Sequence, residues 1–405
     1  MKHDFDTVAN RRGTHCIKWD YLKEFFGKED LNPLWVADMD FKAPEAILNP
    51  IIERASHGVF GYTAKPESFY RAVVNWFKRR YHWEIKRDWI VTTPGVVPAL
   101  NLAIQTFTAP EDGVIIQPPV YFPFMDSVKL NGRKILNNQL TLQDGRYQID
   151  FEDLAKKAER ATMLILCSPH NPVARVWTLA ELKKLGSICR DTGLIVFSDE
   201  IHADIVFSPF RHTPAAMVND FLHGNSICAY ATSKTFNLAG LQLSVNIIPD
   251  KGLRERFKLS LEKLHLGMSN IFGIVGTTAA YAHGEEWLDQ LLPYLWNNYE
   301  AVNTFLDREV PEVSVLKPEG TFLLWLDCRG LGLTDEQLAS LFVNKAGLAL
   351  SNGAMFGPGG SGFMRMNIAC PKQNLLDALE NLKRAIEDDS PIPENTVCGD
   401  APGDT

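Results

Sequence analysis

Apolar residues in this chain fall into short unbroken runs separated by longer stretches of helical spacing. Ile90-Val91-Thr92, Val114-Ile115-Ile116-Gln117, Met163-Leu164-Ile165-Leu166-Cys167, Leu194-Ile195-Val196-Phe197 and Ser226-Ile227-Cys228-Ala229-Tyr230-Ala231 show no apolar-polar alternation. Between them, Glu67–Tyr81 carries apolar residues at helical spacing (Phe69, Val73, Trp76, Phe77), and Ala99–Phe107 and Leu179–Cys189 read as further helices. Strands apolar on both faces, alternating with helices of about ten residues or more, predict a parallel sheet covered on both sides. Leu241–Ile248 reads as one more strand.

Outside that core the pattern changes. Residues 1 to about 45 are aromatic and charged with little period, and read as an arm packed on the rest. Pro44 to Arg54 reads as a helix opened by proline. Gly58-Val59-Phe60-Gly61-Tyr62-Thr63 reads as a glycine-flanked aromatic turn. Towards the C-terminus the spacing predicts a helix from Ala279 to about Val310, interrupted at Pro293. Strands at Val313–Leu316, Thr321–Leu326 and Leu348–Leu350, with helices at Asp335–Asn344 and Gln373–Ile386, predict a smaller α+β domain. From Ser390 the chain is rich in Pro, Gly, Asp and Thr and is expected to be disordered.

Composition narrows the class. A chain of 405 residues with 45% hydrophobic and 22% charged residues is expected to be globular, with two domains. A formal net charge of −8 argues against a nucleic-acid partner. Seven scattered cysteines with no C-x-x-C pair suggest a reducing compartment. The opening residues hold no apolar signal segment, and no run reaches membrane-spanning length, so the expected location is the cytoplasm, with no membrane partner.

Several runs deliver a polar group to their carboxyl end, where open α/β sheets bind ligands. Leu194–Phe197 leads to Ser198-Asp199-Glu200-Ile201-His202, and Ser226–Ala231 leads to Thr232-Ser233-Lys234. Met163–Cys167 leads to Ser168-Pro169-His170-Asn171-Pro172. Taken singly, Asp199 reads as a helix N-cap, His202 as a hydrogen-bonded core histidine, Tyr121 as packing, and Arg365 as half of a structural salt bridge. Thr93-Pro94-Gly95-Val96-Val97 reads either as a plain connection or as an anion site at a helix N-terminus. Gly357-Pro358-Gly359-Gly360-Ser361-Gly362 lacks the strand and helix of a phosphate loop and reads as a flexible loop. Taken together, an imine-forming amine at Lys234, an acid at Asp199, Asn171 and an anion cradle at Gly95 describe a site for pyridoxal 5'-phosphate.

With these residues the sequence resembles the fold-type I pyridoxal-phosphate enzymes of the aspartate aminotransferase superfamily. Within it, the chain resembles the MalY/PatB group of cystathionine β-lyase-type C–S lyases. The resemblance covers roughly residues 5–388. It rests on Trp35-Val36-Ala37-Asp38-Met39-Asp40-Phe41, Cys167-Ser168-Pro169-His170-Asn171-Pro172, Ser198-Asp199-Glu200-Ile201-His202, Ser233-Lys234-Thr235-Phe236-Asn237-Leu238-Ala239-Gly240-Leu241 and Met364-Arg365-Met366-Asn367-Ile368-Ala369-Cys370-Pro371. It implies a PLP-dependent transferase-like α/β fold, a large domain with a mostly parallel seven-stranded sheet plus a smaller α+β domain. The implied boundaries are 1–45 for an N-terminal arm associated with the small domain, 46–280 for the large domain, 281–388 for the small domain and 389–405 for the tail.

The resemblance also implies roles. Lys234 would bind the cofactor covalently and later move the Cα proton. Asp199 would pair with the pyridine nitrogen, Asn171 and His202 would lie at the phenolic oxygen, and Tyr121 would stack on the ring. The amides of Gly95, Val96 and Val97 and the Ser233 hydroxyl would hold the phosphate, joined by Tyr62 from a neighbouring subunit of a homodimer. Arg365 would clamp the carboxylate of a small amino-acid substrate. Three positions depart from the family's pattern: Ala174 where many relatives have Gly, Ala231 where a hydroxyl is common, and Gln242 where many aminotransferases have a phosphate-binding Arg. The implied reaction is α,β-elimination of L-cysteine S-conjugates such as L-cystathionine. An aminotransferase on the same residues, or a regulatory protein-binding role with residual lyase activity, are the alternatives.

Overall fold

A computed structural model describes residues 3–393. Residues 394–405, and with them most of the tail expected to be disordered, lie outside the described residues. Seven strands form the large sheet: β1 (Ile90–Thr93), β2 (Gly113–Ile116), β3 (Lys134–Asn137), β4 (Ala161–Cys167), β5 (Ile195–Asp199), β6 (Ser226–Tyr230) and β7 (Ser244–Ile247). Their order is β1-β7-β6-β5-β4-β2-β3, with β7 alone antiparallel to its neighbours. The mostly parallel seven-stranded sheet is thus as expected. β3, a partly exposed edge strand with apolar residues only at Ile135 and Leu136, had no signal among the apolar runs.

The central strands are buried along almost their whole length because both faces are covered. In β4, Met163, Ile165 and Cys167 pack into one core while Leu164 and Leu166 pack into the other. Burying each such large side chain stabilises the sheet by roughly 1.5–3 kcal/mol. The covering helices include α1 (Glu45–Ser56), α2 (Glu67–Tyr81), α3 (Val96–Phe107), α4 (Leu179–Thr192), α5 (Ile271–His283) and α6 (Glu285–Glu309). α4 starts at a capping box, in which Thr178 and Glu181 satisfy each other's backbone amides, and stops at Gly193 with φ +72°.

The helix expected from Ala279 to about Val310 is two helices, and its break is elsewhere. α5 and α6 meet at Gly284, where a Cβ would lie 2.4 Å from Phe236 Cε1, so the corner admits only glycine. α6 runs through the exposed Pro293. One missing amide there is outweighed by the buried face of Trp287, Leu288, Leu291 and Leu295.

Four antiparallel strands form the small sheet: β8 (Ser314–Val315), β9 (Leu323–Asp327), β10 (Ser351–Asn352) and β11 (Phe363–Asn367), in the order β8-β9-β11-β10. Asn32–Pro33 pairs in parallel with Leu348–Ala349 beside it. The glycine-rich loop at 357–362 is pinned rather than flexible. Asp335 accepts hydrogen bonds from Ser361 Oγ and the Gly362 amide, each at 2.8 Å, and a Cβ on Gly360 would lie 2.0 Å from the Gly353 carbonyl. Among the described residues no helix is long and apolar enough to cross a membrane.

Candidate active site

Asp199 is the last residue of β5, and Asn171 and Lys234 follow the carboxyl ends of its parallel neighbours β4 and β6. Cys167, Asp199 and Ala229 stand opposite one another in the register, so the three connections leave the sheet at one level. Tyr121 follows β2 on one side, and the first turn of α3 follows β1 on the other. These residues line a cavity of about 500 Å³, with His202, Ser233, Ala239 and Gln242 completing the wall. Of the expected site residues, Tyr121, Asn171, Asp199, His202, Ser233, Lys234, Gly95, Val96 and Val97 all meet there.

At the floor, Asp199 is not a helix cap. It is buried, and its Oδ1 accepts the Ile201 amide at 3.0 Å in a local turn. Burial pushes its carboxyl up to about 7, with Glu200 adding to the rise and the Ile201 amide and Lys234 opposing it. Its neighbour Glu200 is equally buried but well supplied: His212 Nε2 lies at 2.6 Å, the Ala215 amide donates at 2.9 Å and the Tyr230 hydroxyl donates as well. Those partners overcome burial and hold Glu200 below its ordinary range. Two adjacent acids are therefore buried, and only Asp199 faces the cavity in need of a cation.

The amine of Lys234 donates to the Ala37 carbonyl at 2.7 Å. That carbonyl belongs to the Trp35–Phe41 segment, which is held from both sides. Asn237 binds the backbone of Met39 and Phe41, and Asn367 donates to the carbonyls of Val36 and Asp38. Arg365 donates to the Trp35 carbonyl at 2.7 Å, to Ser351 Oγ at 3.1 Å and to Asn171 Oδ1 at 3.2 Å, with the Phe356 ring 5.0 Å from its guanidinium carbon. It is buried beside the cavity rather than on its wall.

His202 is buried with its Nδ1 unpaired among the described residues. Burial lowers its pKa well below the ordinary value, helped by the cations of Lys234 and Arg365, so it faces the cavity as a neutral imidazole. The anion end is the first turn of α3, where the first intrahelical bond runs from the Ala99 amide to the Gly95 carbonyl. The amides ahead of it and the positive helix end face the cavity. Ala174 adopts the left-handed φ of +54° that a glycine would favour, so the turn keeps its shape despite the substitution. Tyr62 is not brought to this cavity in its own chain: it is 95% exposed, on a surface groove with Phe60 and Met268. The Ala37 carbonyl escaped the sequence reading, because a backbone acceptor leaves no residue signature.

The donor set suits pyridoxal 5'-phosphate. A carboxyl held near 7 by burial fits a pyridinium nitrogen, the orphaned His202 Nδ1 and Asn171 fit a phenolic oxygen, and the α3 amides fit a phosphate. Comparison with known proteins points the same way. The profile of the family "Aminotransferase class I and II" matches residues 33–382. The chain is 45% identical over 385 residues to cystathionine beta-lyase PatB of Bacillus subtilis, covering 95% of this chain and all of that one. It is 33% identical to protein MalY of Escherichia coli, covering 95% and 98%. The crystal structure of cystalysin from Treponema denticola, which contains pyridoxal 5'-phosphate, superposes with a TM-score of 0.92 at 36% identity, covering 96% and 99%.

Proposed function

Since the chain belongs to the aminotransferase class I and II family, and within it to the carbon–sulfur lyases of the PatB and MalY type, we infer that it eliminates thiols from L-cysteine S-conjugates such as L-cystathionine. It is a pyridoxal-phosphate-dependent β-lyase acting on small amino acids. One observation carries the choice of lyase over aminotransferase: the full-length likeness to PatB, a protein named for cystathionine cleavage.

When bound, pyridoxal 5'-phosphate supplies an aldehyde that condenses with amines and a ring that accepts the electrons left at Cα. Asp199 would pair as a carboxylate with the ring nitrogen and so keep that nitrogen protonated. Asn171 and His202 would hold the phenolic oxygen, Tyr121 would cover the ring face, and Ser233 with the Gly95, Val96 and Val97 amides would hold the phosphate. Arg365 binds the substrate carboxylate through its planar fork and so orients Cα. Lys234 would hold the cofactor at rest and would take the Cα proton of the bound substrate. The thiolate departs from Cβ, and water releases the remaining carbon skeleton as pyruvate and ammonia. For L-cystathionine the balance is one water consumed and homocysteine, pyruvate and ammonia formed.

The same reading places the protein in the cytoplasm as a homodimer, with Tyr62 reaching the phosphate of the partner's site. It divides the chain into the arm 1–45, the large domain 46–280 and the small domain 281–388. Exposed Phe60, Tyr62 and Met268, which share one surface groove, support the dimer, since a lone subunit rarely exposes such large apolar groups side by side. A panel of cysteine S-conjugates scored for pyruvate tests the reaction. Pyruvate and thiol in equal amounts without any 2-oxo acid are expected, and strict dependence on a 2-oxo acid would make it an aminotransferase.

A further inference from the structure

The turn that carries Lys234 is one short helix, Thr232–Thr235, whose N-cap Ala231 offers no side-chain hydrogen bond. Four residues of helix do not hold themselves, so the direction in which Lys234 projects is set from outside. Thr232 meets the hydroxyl of Thr277 at 3.3 Å, and Asn237 binds the 39–41 backbone. The third anchor is the fully buried Thr235, whose hydroxyl donates at 2.9 Å to Asp204 Oδ2.

Asp204 is a buried acid for which the reaction has no use. Its other oxygen, Oδ1, accepts from Trp76 Nε1 at 3.1 Å and from the Tyr81 hydroxyl, both on α2. It lies in the same connection as Asp199 and His202, folded tightly by bonds from the Ala203 amide to the Glu200 carbonyl and from the Ile205 amide to the His202 carbonyl. A carboxylate in such a place is costly to bury, and burial raises its pKa against the pull of its donors. The fold nevertheless uses an acid where an apolar side chain would pack.

We propose that Asp204 is a positioning residue for Lys234, acting through the Thr235 hydroxyl. Through its Oδ2 it ties the connection that carries Asp199 to the turn that carries Lys234. The spacing between amine and acid is thereby set by one carboxylate rather than by two independent loops. This inference rests on Lys234 being the cofactor-binding amine. A displacement of the reacting amine by about 1 Å lowers turnover by about 100-fold while leaving substrate affinity largely alone.

The test compares holoenzyme Thr235→Val, which keeps shape and removes the donor, with Thr235→Ser, which keeps the donor. kcat, KM, melting temperature and the pH titration of the bound cofactor's absorbance are read for each. Thr235→Val is expected to lower kcat by about 10- to 100-fold with KM within about 3-fold, and to move the absorbance titration; Thr235→Ser is expected to restore both. Trp76→Phe removes a donor from Asp204 on the side away from Lys234, and is expected to lower the melting temperature without moving the titration. A Thr235→Val enzyme that melts lower but keeps the wild-type kcat and titration overturns the proposal, as does an equal loss of kcat in Trp76→Phe. If Thr235→Val does not fold, Thr235→Ala is read against the same two outcomes. Borohydride labelling of wild type separates the failures: a label away from Lys234 removes the reading beneath, whereas a label on Lys234 with an unchanged Thr235→Val removes only this inference.

Discussion

At the scale of single residues, the site turns on how two neighbouring acids are treated. Glu200 has three partners within reach, while the cavity-facing Asp199 has one backbone amide and a carboxyl raised from 3.8 to about 7. The sign of the consequence follows from linkage. A raised native pKa means the folded apoprotein holds a proton that the unfolded chain has lost, so stability falls as pH rises from about 4 through 7 and levels off above. The loss amounts to at most about 4 kcal/mol. Apo Asp199→Asn is therefore expected to melt with wild type near pH 4 and well above it at pH 8, while its affinity for pyridoxal phosphate drops. Thermal unfolding of both apoproteins across that range, with a cofactor titration at pH 8, checks it. Equal melting temperatures at pH 8 would mean that Asp199 is not held at a cost. Much at this scale was legible: Lys234, Asp199 and Asn171 each end an apolar run. Their joint identity was not, because Arg365 meets Asn171 across 194 residues, and only the motif strings brought it in.

Between elements, the pattern of apolar runs located β1, β2, β4, β5 and β6 within about two residues, because both faces of each are buried. The start of β7, expected at Leu241, comes only at Ser244 after a turn at Ala239–Leu241. The pattern missed β3, an edge strand in which only Ile135 and Leu136 are apolar and no residue is fully buried. It also put the break of the long C-terminal helix at Pro293, treating a missing amide as decisive. The break belongs to Gly284, where close packing against Phe236 leaves no room for a Cβ. Opposite outcomes should separate the two. Gly284→Ala is expected to destabilise by about 1–3 kcal/mol through overpacking. Pro293→Ala, on an exposed position of α6, is expected to raise the melting temperature by restoring one helical hydrogen bond. Denaturant unfolding of the two variants reads both signs, and a destabilised Pro293→Ala would show that the ring is needed where it stands. The glycine-rich loop teaches the same lesson: composition suggested looseness, whereas the Gly353–Gly360 approach and the Asp335 hydrogen bonds are close packing.

Over the whole molecule, the Trp35–Phe41 segment lies where the two sheets' contributions meet. Its carbonyls receive Lys234 and Asn237 from beyond β6, and Arg365 and Asn367 from β11. Tyr62 is exposed and lies away from the cavity of its own chain. If the partner's site receives it, inactive Lys234→Ala and Tyr62→Ala dimers should regain activity when their subunits are exchanged. A heterodimer would then carry one intact site out of two, giving about a quarter of wild-type activity after random mixing. No recovery after verified exchange would place Tyr62 outside the site. The central claim, that these strands assemble one cofactor site on one lysine, has a more direct test. Holoenzyme reduced with borohydride, digested and mapped should carry the fixed cofactor on Lys234 alone, and a label on any other lysine would contradict it.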